Sequence, residues 1–406
     1  MQRNDSSVGG KKIERETEMK FSERILKIKP SATLKAAAKA RELKSKGIKV
    51  IDFTVGEPDF NTPETIKTAC KKALDENQTR YAPVPGTLAL RQAIAGNLKQ
   101  HCDIDYKAEE IIVTAGAKHA IYATLQVLIN SGDEVIIPAP YWVSFYEQVL
   151  LAEGKPVVIP TDDDTGFKMT PTQFKKAITP KTKLLILNTP SNPTGACYNR
   201  EELAAFGEIC AAKNILVLSD EIYSRLTYDG FQHTSFVKAA PAMKNKTILI
   251  NGASKSYAMT GWRMGFAAAP KEIIDKIQIL QSQEITSIPT FIMPACITAF
   301  NSCDKEVEAM RKEFEKRRNI AFEALNKISG ISCCKPSGAF YLFPNVKNFK
   351  KSSEEIADLL LEEAHVAVVA GEAFGAPGYL RISYATTVEN IREGLRRIKE
   401  ALEKLC

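Results

Sequence analysis

The chain has 406 residues, 44% hydrophobic and 25% charged, with a formal net charge of +7. That is an ordinary globular composition. No apolar run approaches the ~18 residues a membrane span requires, and Lys and Arg are dispersed without the long block that would point to nucleic acid.

The first twenty residues mix Lys, Arg, Glu and Asp without an apolar core. They read as a disordered tail, since a transit peptide would avoid the acidic residues. A helix is predicted from Thr33 to Lys46, stopped by Gly47. Strand-like runs follow at 111–115, 135–137, 157–160, 184–188, 215–219, 247–251 and 264–269. Ala117 to Asn130 and Glu201 to Lys213 are helix candidates, and several gaps are long enough for the crossovers that parallel strands need. The last two runs are too close for a helix, so one antiparallel member is predicted. The expected fold class is α/β, with a seven-stranded, mainly parallel sheet covered by helices on both faces.

Beyond residue 303 the pattern changes. Asp304 to Ile328 is a long, charged amphipathic stretch suited to linking two lobes. Strand candidates lie near Gly338–Phe343, Val366–Val369 and Leu380–Ser383. Val388, Ile391, Leu395, Ile398 and Leu402 recur at three- and four-residue steps, the signature of a final amphipathic helix. The predicted organisation is a large domain over 61–303 and a smaller α+β domain formed by 21–60 together with 304–406. Nine cysteines show no Cys-x-x-Cys pair and no metal-ligand spacing with the four histidines, and no signal peptide is evident. They read as reduced thiols in a cytoplasmic protein, with no metal site.

Four motifs carry chemistry, each at the end of a strand-like run. Ser254-Lys255-Ser256 follows Thr247–Ile250, with Arg263 eight residues on. A crowded, cation-rich pocket would lower the pKa of such a lysine and leave a free amine to attack an aldehyde, with the arginine holding a phosphate. Ser191-Asn192-Pro193-Thr194-Gly195 follows Leu184–Leu187, and Ser219-Asp220-Glu221-Ile222-Tyr223 follows Ile215–Leu218. Tyr379-Leu380-Arg381-Ile382-Ser383 places an arginine in an alternating segment. Singly, each has a plain alternative: a solvated loop lysine, a turn-forming Asn or Asp, a surface arginine. Together they predict one site at the carboxyl edge of the sheet.

In this order the motifs resemble the fold-type I, pyridoxal-phosphate-dependent class I/II aminotransferases, most closely the bacterial-type aspartate aminotransferase subgroup. Lys29-Pro30-Ser31-Ala32-Thr33, Gly56-Glu57-Pro58-Asp59-Phe60, Tyr81-Ala82-Pro83 with Gly86, and Pro140-Tyr141-Trp142-Val143-Ser144 add to the likeness, which runs from about Ile28 to Leu405. Acidic members of that subgroup usually carry Gly-Gly-Lys where this chain has Gly116-Ala117-Lys118, and prephenate-using relatives share the same Thr and Lys pair.

The resemblance implies the following roles. Lys255 forms the Schiff base with pyridoxal phosphate and then moves the proton. Asp220 pairs with the pyridine nitrogen, Tyr223 and Asn192 hydrogen-bond the ring hydroxyl oxygen, and Trp142 stacks on the ring. Ala117, Lys118, Ser254 and Arg263 hold the phosphate, joined by Tyr81 of the neighbouring subunit in a homodimer with shared sites. Arg381 clamps the substrate α-carboxylate, with the Gly56 backbone beside it and with Asn192 and Trp142 in contact. Lys118, covered by Thr33 alone or by Thr33 and Ser31, meets the distal carboxylate. By the same likeness, Ala139–Pro140 and Asn192–Pro193 are expected to be cis. The implied reaction moves the amino group of L-aspartate to 2-oxoglutarate. Prephenate or aromatic transamination, alanine-type specificity and C–S lyase chemistry are the alternatives within the family. A cofactor-binding regulator is the alternative from another class, but the tail is too short for its DNA-binding module.

Overall fold

The computed structural model describes residues 20–405; the predicted tail, Lys20 apart, lies outside the described residues. A two-residue strand, β1 (Ile51–Asp52), comes first. The seven predicted runs then form β2 (Ile111–Thr114), β3 (Glu134–Ala139), β4 (Lys155–Pro160), β5 (Thr182–Asn188), β6 (Leu216–Asp220), β7 (Thr247–Gly252) and β8 (Gly265–Ala268). They make one sheet in the order β2-β8-β7-β6-β5-β3-β4. All pairings are parallel except those of β8, which runs antiparallel to both β2 and β7. Only twelve residues separate β7 from β8, too few for a crossover.

Strands buried on both faces need no alternation, and β5 shows this: Leu184, Leu185, Ile186 and Leu187 are all buried. The crossovers begin with local signals in the sequence. The helix Arg200–Lys213 starts from a capping box of Asn199 with Glu202 and stops at Asn214 in the left-handed region. The helix Ala117–Leu128 starts behind Gly116, whose φ is +86°.

Four short strands follow: β9 (Tyr341–Leu342), β10 (Val366–Ala367), β11 (Val369–Ala370) and β12 (Leu380–Ser383). The single strand expected over Val366–Val369 is in fact two. β10 pairs in parallel with β1, and after Val368 the chain changes sheet, so that β11 pairs antiparallel with β12. The strand expected over Gly338–Phe343 shrinks to Tyr341–Leu342, with Gly338 bridged separately to Thr227. The long helix spans Asp304–Leu325 and the last spans Val388–Glu403, burying Ile391, Leu395, Ile398 and Leu402. These elements share an apolar core with Ile51, Phe53, Phe314 and Phe340. The N-terminal helix covers Ala32–Ser45 and leaves through Gly47 at φ +82°.

Candidate active site

The parallel strands β5, β6 and β7 end side by side, with Asn188 paired to Asp220 and Asp220 to Ile250. The turns that follow bring Asn192, Tyr223 and Lys255 to one edge, and all of them line a cavity of about 460 Å³. Arg381, on β12, closes the cavity from the other side. The three strand-end motifs and the arginine inside β12 therefore meet in space.

Asp220 is 4% exposed, and its Oδ1 accepts the Ile222 N–H at 3.1 Å. Burial pushes its carboxyl up to about 7, against the pull of that N–H and of Lys255. Lys255 donates to the Gly56 carbonyl and lies between the Tyr223 and Phe340 rings, 5.9 and 5.8 Å from their centroids. Burial lowers its pKa to about 8; Glu57 opposes this, and Arg381 and Arg263 add to it. A larger share of neutral amine, the nucleophilic form, is thus present near neutral pH.

Arg381 is held at both ends of its fork, by the Asn192 Oδ1 at 3.2 Å and the Thr54 carbonyl at 2.6 Å. Its Nε is buried without a partner, and among the described residues no carboxylate pairs with it. The guanidinium lies over the Tyr341 and Phe374 rings at 4.7 and 5.1 Å. A buried cation arranged in this way is poised for an incoming carboxylate.

Across the cavity, Gly116 and Gly265 make room for an anion site. A Cβ on Gly265 would fall 2.2 Å from the Ala117 nitrogen, and one on Gly116 would fall 2.5 Å from Arg263 Nη2. Only glycine at both positions lets the helix start at Ala117 press against β8 with the arginine beside it. The resulting group of helix N–H donors, Ser254 and Arg263 suits a phosphate. An aldehyde-reactive amine, a buried carboxylate and an anion cradle in one cavity are the features pyridoxal phosphate needs, so the residues present fit that cofactor.

Trp142 caps the helix Val143–Leu151 and turns its ring toward Lys118, whose Nζ stands 4.9 Å from the ring centroid. Partial burial and the nearby Arg263 hold the Lys118 ammonium below the usual lysine value. Thr33 and Gly56 are also on the cavity wall, and Ser31 backs Thr33 through a 2.9 Å hydroxyl contact. Tyr81 is the exception: it lies off the cavity of its own chain and is 92% exposed. Ala139–Pro140 and Asn192–Pro193 are both cis, and so is Thr189–Pro190, which was not anticipated.

Several wall residues were not singled out from the sequence. Tyr341 bonds the Tyr223 hydroxyl at 3.0 Å and supports Arg381, yet its segment read only as a strand. Asn188 donates to the Asp220 carbonyl at 3.1 Å and accepts the Asn192 N–H at 2.8 Å. Its strand-end position, matching that of Asp220, was the available signal. Arg41 reaches the wall from the helix Ala32–Ser45, four and eight residues beyond Ala37 and Thr33. Helical periodicity could have found it.

A mainly parallel sheet with a lysine, an aspartate and an anion cradle at its carboxyl edge defines a site for a phosphorylated aldehyde cofactor. The family model "Aminotransferase class I and II" matches residues 48–398, and the chain belongs to this family, whose members use pyridoxal phosphate. It is 48% identical to the aspartate aminotransferase of Geobacillus stearothermophilus, over 95% of this chain and 99% of that protein. It is 43% identical to a probable aspartate/prephenate aminotransferase of Aquifex aeolicus, over 95% and 99%. The solved aspartate aminotransferase of Thermus thermophilus with maleate aligns at a TM-score of 0.91 and 40% identity, covering 95% of this chain and all of that one.

Proposed function

We propose that the protein transfers the amino group of L-aspartate to 2-oxoglutarate in two half-reactions at this one cavity. The observation that carries the reading is Lys255 in one cavity with a buried arginine, Arg381, and a second cation, Lys118, neither of which has a carboxylate partner among the described residues. Two cations at separate points suit substrates with two carboxylates. The names of the relatives point the same way.

Pyridoxal phosphate, when bound, supplies an aldehyde carbon for the amines and a ring that draws electrons from the substrate Cα. The chain does the rest. Arg381 and the Gly56 backbone fix the α-carboxylate, which orients the Cα–H bond toward Lys255. The Lys255 amine takes that proton and returns it on the far side of the transfer, a task suited to a pKa near the working pH. Asp220 would hold the ring nitrogen by its carboxyl, and Asn192 and Tyr223 would hold the ring oxygen. Ala117, Ser254 and Arg263 hold the phosphate, Trp142 covers the ring, and Lys118 with Thr33 and Ser31 reads the distal carboxylate. The same reading places the enzyme in the cytoplasm as a homodimer. Tyr81 of each subunit then completes the other's phosphate site, in keeping with its exposure in the single chain. Residues 21–60 and 304–406 act as the lobe that brings Thr33 and Arg381 to the larger one.

The test is a panel of amino donors against oxo acids on purified protein. Aspartate with 2-oxoglutarate should give the highest kcat/KM. Prephenate is the second acceptor to include, because several relatives carry that name. A higher kcat/KM for aromatic or neutral donors would overturn the aspartate assignment.

A further inference from the structure

Glu221 directly follows Asp220, and the alternation of a strand end sends the two carboxylates to opposite sides. Asp220 faces the cavity, whereas Glu221 is fully buried behind it. Its Oε1 accepts the Ser219 hydroxyl at 2.8 Å, the Ser235 hydroxyl at 2.9 Å and the Phe236 N–H at 3.0 Å. Its Oε2 meets His233 Nε2 at 3.1 Å. Among the described residues no Lys or Arg pairs with it, so neutral donors and one imidazole hold a buried carboxylate. The partners come from the strand itself and from the separate segment 233–236. The side chain therefore ties the segment carrying Asp220 and Tyr223 to a second piece of the structure.

The tie has a route to the cavity. The Ile222 N–H that Asp220 Oδ1 accepts belongs to the peptide immediately after Glu221. The Glu221 carbonyl accepts the Ser224 N–H at 2.9 Å, and the Tyr223 carbonyl accepts the Leu226 N–H at 2.8 Å, closing the turn. Any rotation of the Glu221 backbone would move the Ile222 donor and, with it, the Asp220 carboxyl and the Tyr223 phenol. We propose that Glu221 is a positioning residue for the transamination: its caged carboxylate sets the turn that aims Asp220 and Tyr223 at the cofactor. The proposal rests on the roles given to those two residues above.

The test compares Glu221→Gln and Ser235→Ala with Glu134→Gln. Glu134 is also a buried carboxylate, bonded to Thr179 and Lys155, but it lies at the start of β3, the end away from the site. Three quantities are read: the dissociation constant of pyridoxal phosphate for stripped protein, the Tm of that protein, and kcat separately from KM. Glu221→Gln should raise the dissociation constant and lower kcat, each by about tenfold, with KM for aspartate unchanged, as a small misplacement of reacting groups does. Ser235→Ala should move both in the same direction by less. Glu134→Gln should lower Tm alone. Wild-type cofactor affinity and kcat in Glu221→Gln would overturn the proposal, as would equal losses in Glu134→Gln. Should Glu221→Gln fail to fold, wild-type values in Ser235→Ala would overturn it. Asp220→Ala separates the two levels: full cofactor affinity and turnover there would strike the role of Asp220 itself, whatever Glu221 does.

Discussion

The strand-end wall of the cavity and the helical wall facing it hold their side chains in different ways. Asn192, Asp220 and Tyr223, with Arg381 reaching them from β12, are each no more than 7% exposed, and each is held by a hydrogen bond. The helix Ala32–Ser45 buries only Ala40, and its Leu34 is 65% exposed. Its anchorage is through small residues and surface pairs: Ala40 and Leu43 pack with Val50, Leu361 and Ala367, Ala36 touches a second small cluster, and Lys39 and Lys44 pair with Asp358 and Asp52. Bond-making chemistry needs groups fixed to within a fraction of an ångström, and a packed sheet edge supplies that. Substrate selection tolerates, and entry requires, a wall of lower local stability. The division predicts that changes on the strand-end wall abolish the reaction for every substrate, while changes on the facing wall re-rank substrates.

The largest effect should come from Lys255→Ala. Removing the amine removes both the covalent attachment of the cofactor and the proton carrier, and the second loss alone is worth about 10²–10⁴-fold in kcat. Borohydride treatment of the wild type should fix the cofactor mass to the chain, and the variant should remain unmodified. Turnover in the variant within tenfold of wild type would break the assignment of the rigid wall to chemistry.

Asp220→Asn tests the same wall through stability. Burial raises the Asp220 carboxyl from 3.8 to about 7. Between those values the folded, cofactor-free protein holds a proton that the unfolded chain has released, so this residue's contribution to stability falls as pH rises through that window. Above about pH 7 the wild type carries a buried charge that asparagine lacks. Stripped Asp220→Asn should therefore gain on the wild type between about pH 4 and 7, reaching about 2–4 kcal/mol and then levelling off. Denaturant melts of stripped protein at several pH values would show it. A difference that does not vary with pH would mean that the carboxyl titrates normally.

The two walls were also unequally legible in the sequence. Lys255, Asp220 and Asn192 stand within five residues after apolar runs, so strand-end logic alone places them. Asn188 followed the same rule and was overlooked because Asn192 lay four residues on. Tyr341 could not be found this way. Its role depends on touching Tyr223, 118 residues earlier, and on lying over Arg381. The split of Val366–Val369 between two sheets was hidden for a related reason: the apolar pattern is continuous, and only the partners differ. On the helical wall, Thr33 came from the family likeness, while Arg41 carried only a helical spacing.

Lys118→Ala is the smallest of these effects and the one that best sharpens the contrast. Lys118 starts on the rigid side, two residues after Gly116, but its side chain is exposed and leans toward Trp142, with no carboxylate partner among the described residues. Its backbone can serve the phosphate while the ammonium serves the substrate. The ammonium is only partly desolvated and water still screens it, so the loss should be that of a charged hydrogen bond, about 1.5–3 kcal/mol, and not that of a stripped buried pair. That is roughly 10- to 150-fold in kcat/KM. The loss should fall on aspartate and 2-oxoglutarate, with alanine and phenylalanine little changed, and cofactor affinity should hold. A uniform loss across all donors together with weaker cofactor retention would assign the ammonium to the phosphate. Recognition of the second carboxylate would then pass to the facing wall, where Arg41, on the helix that carries Thr33, lines the cavity.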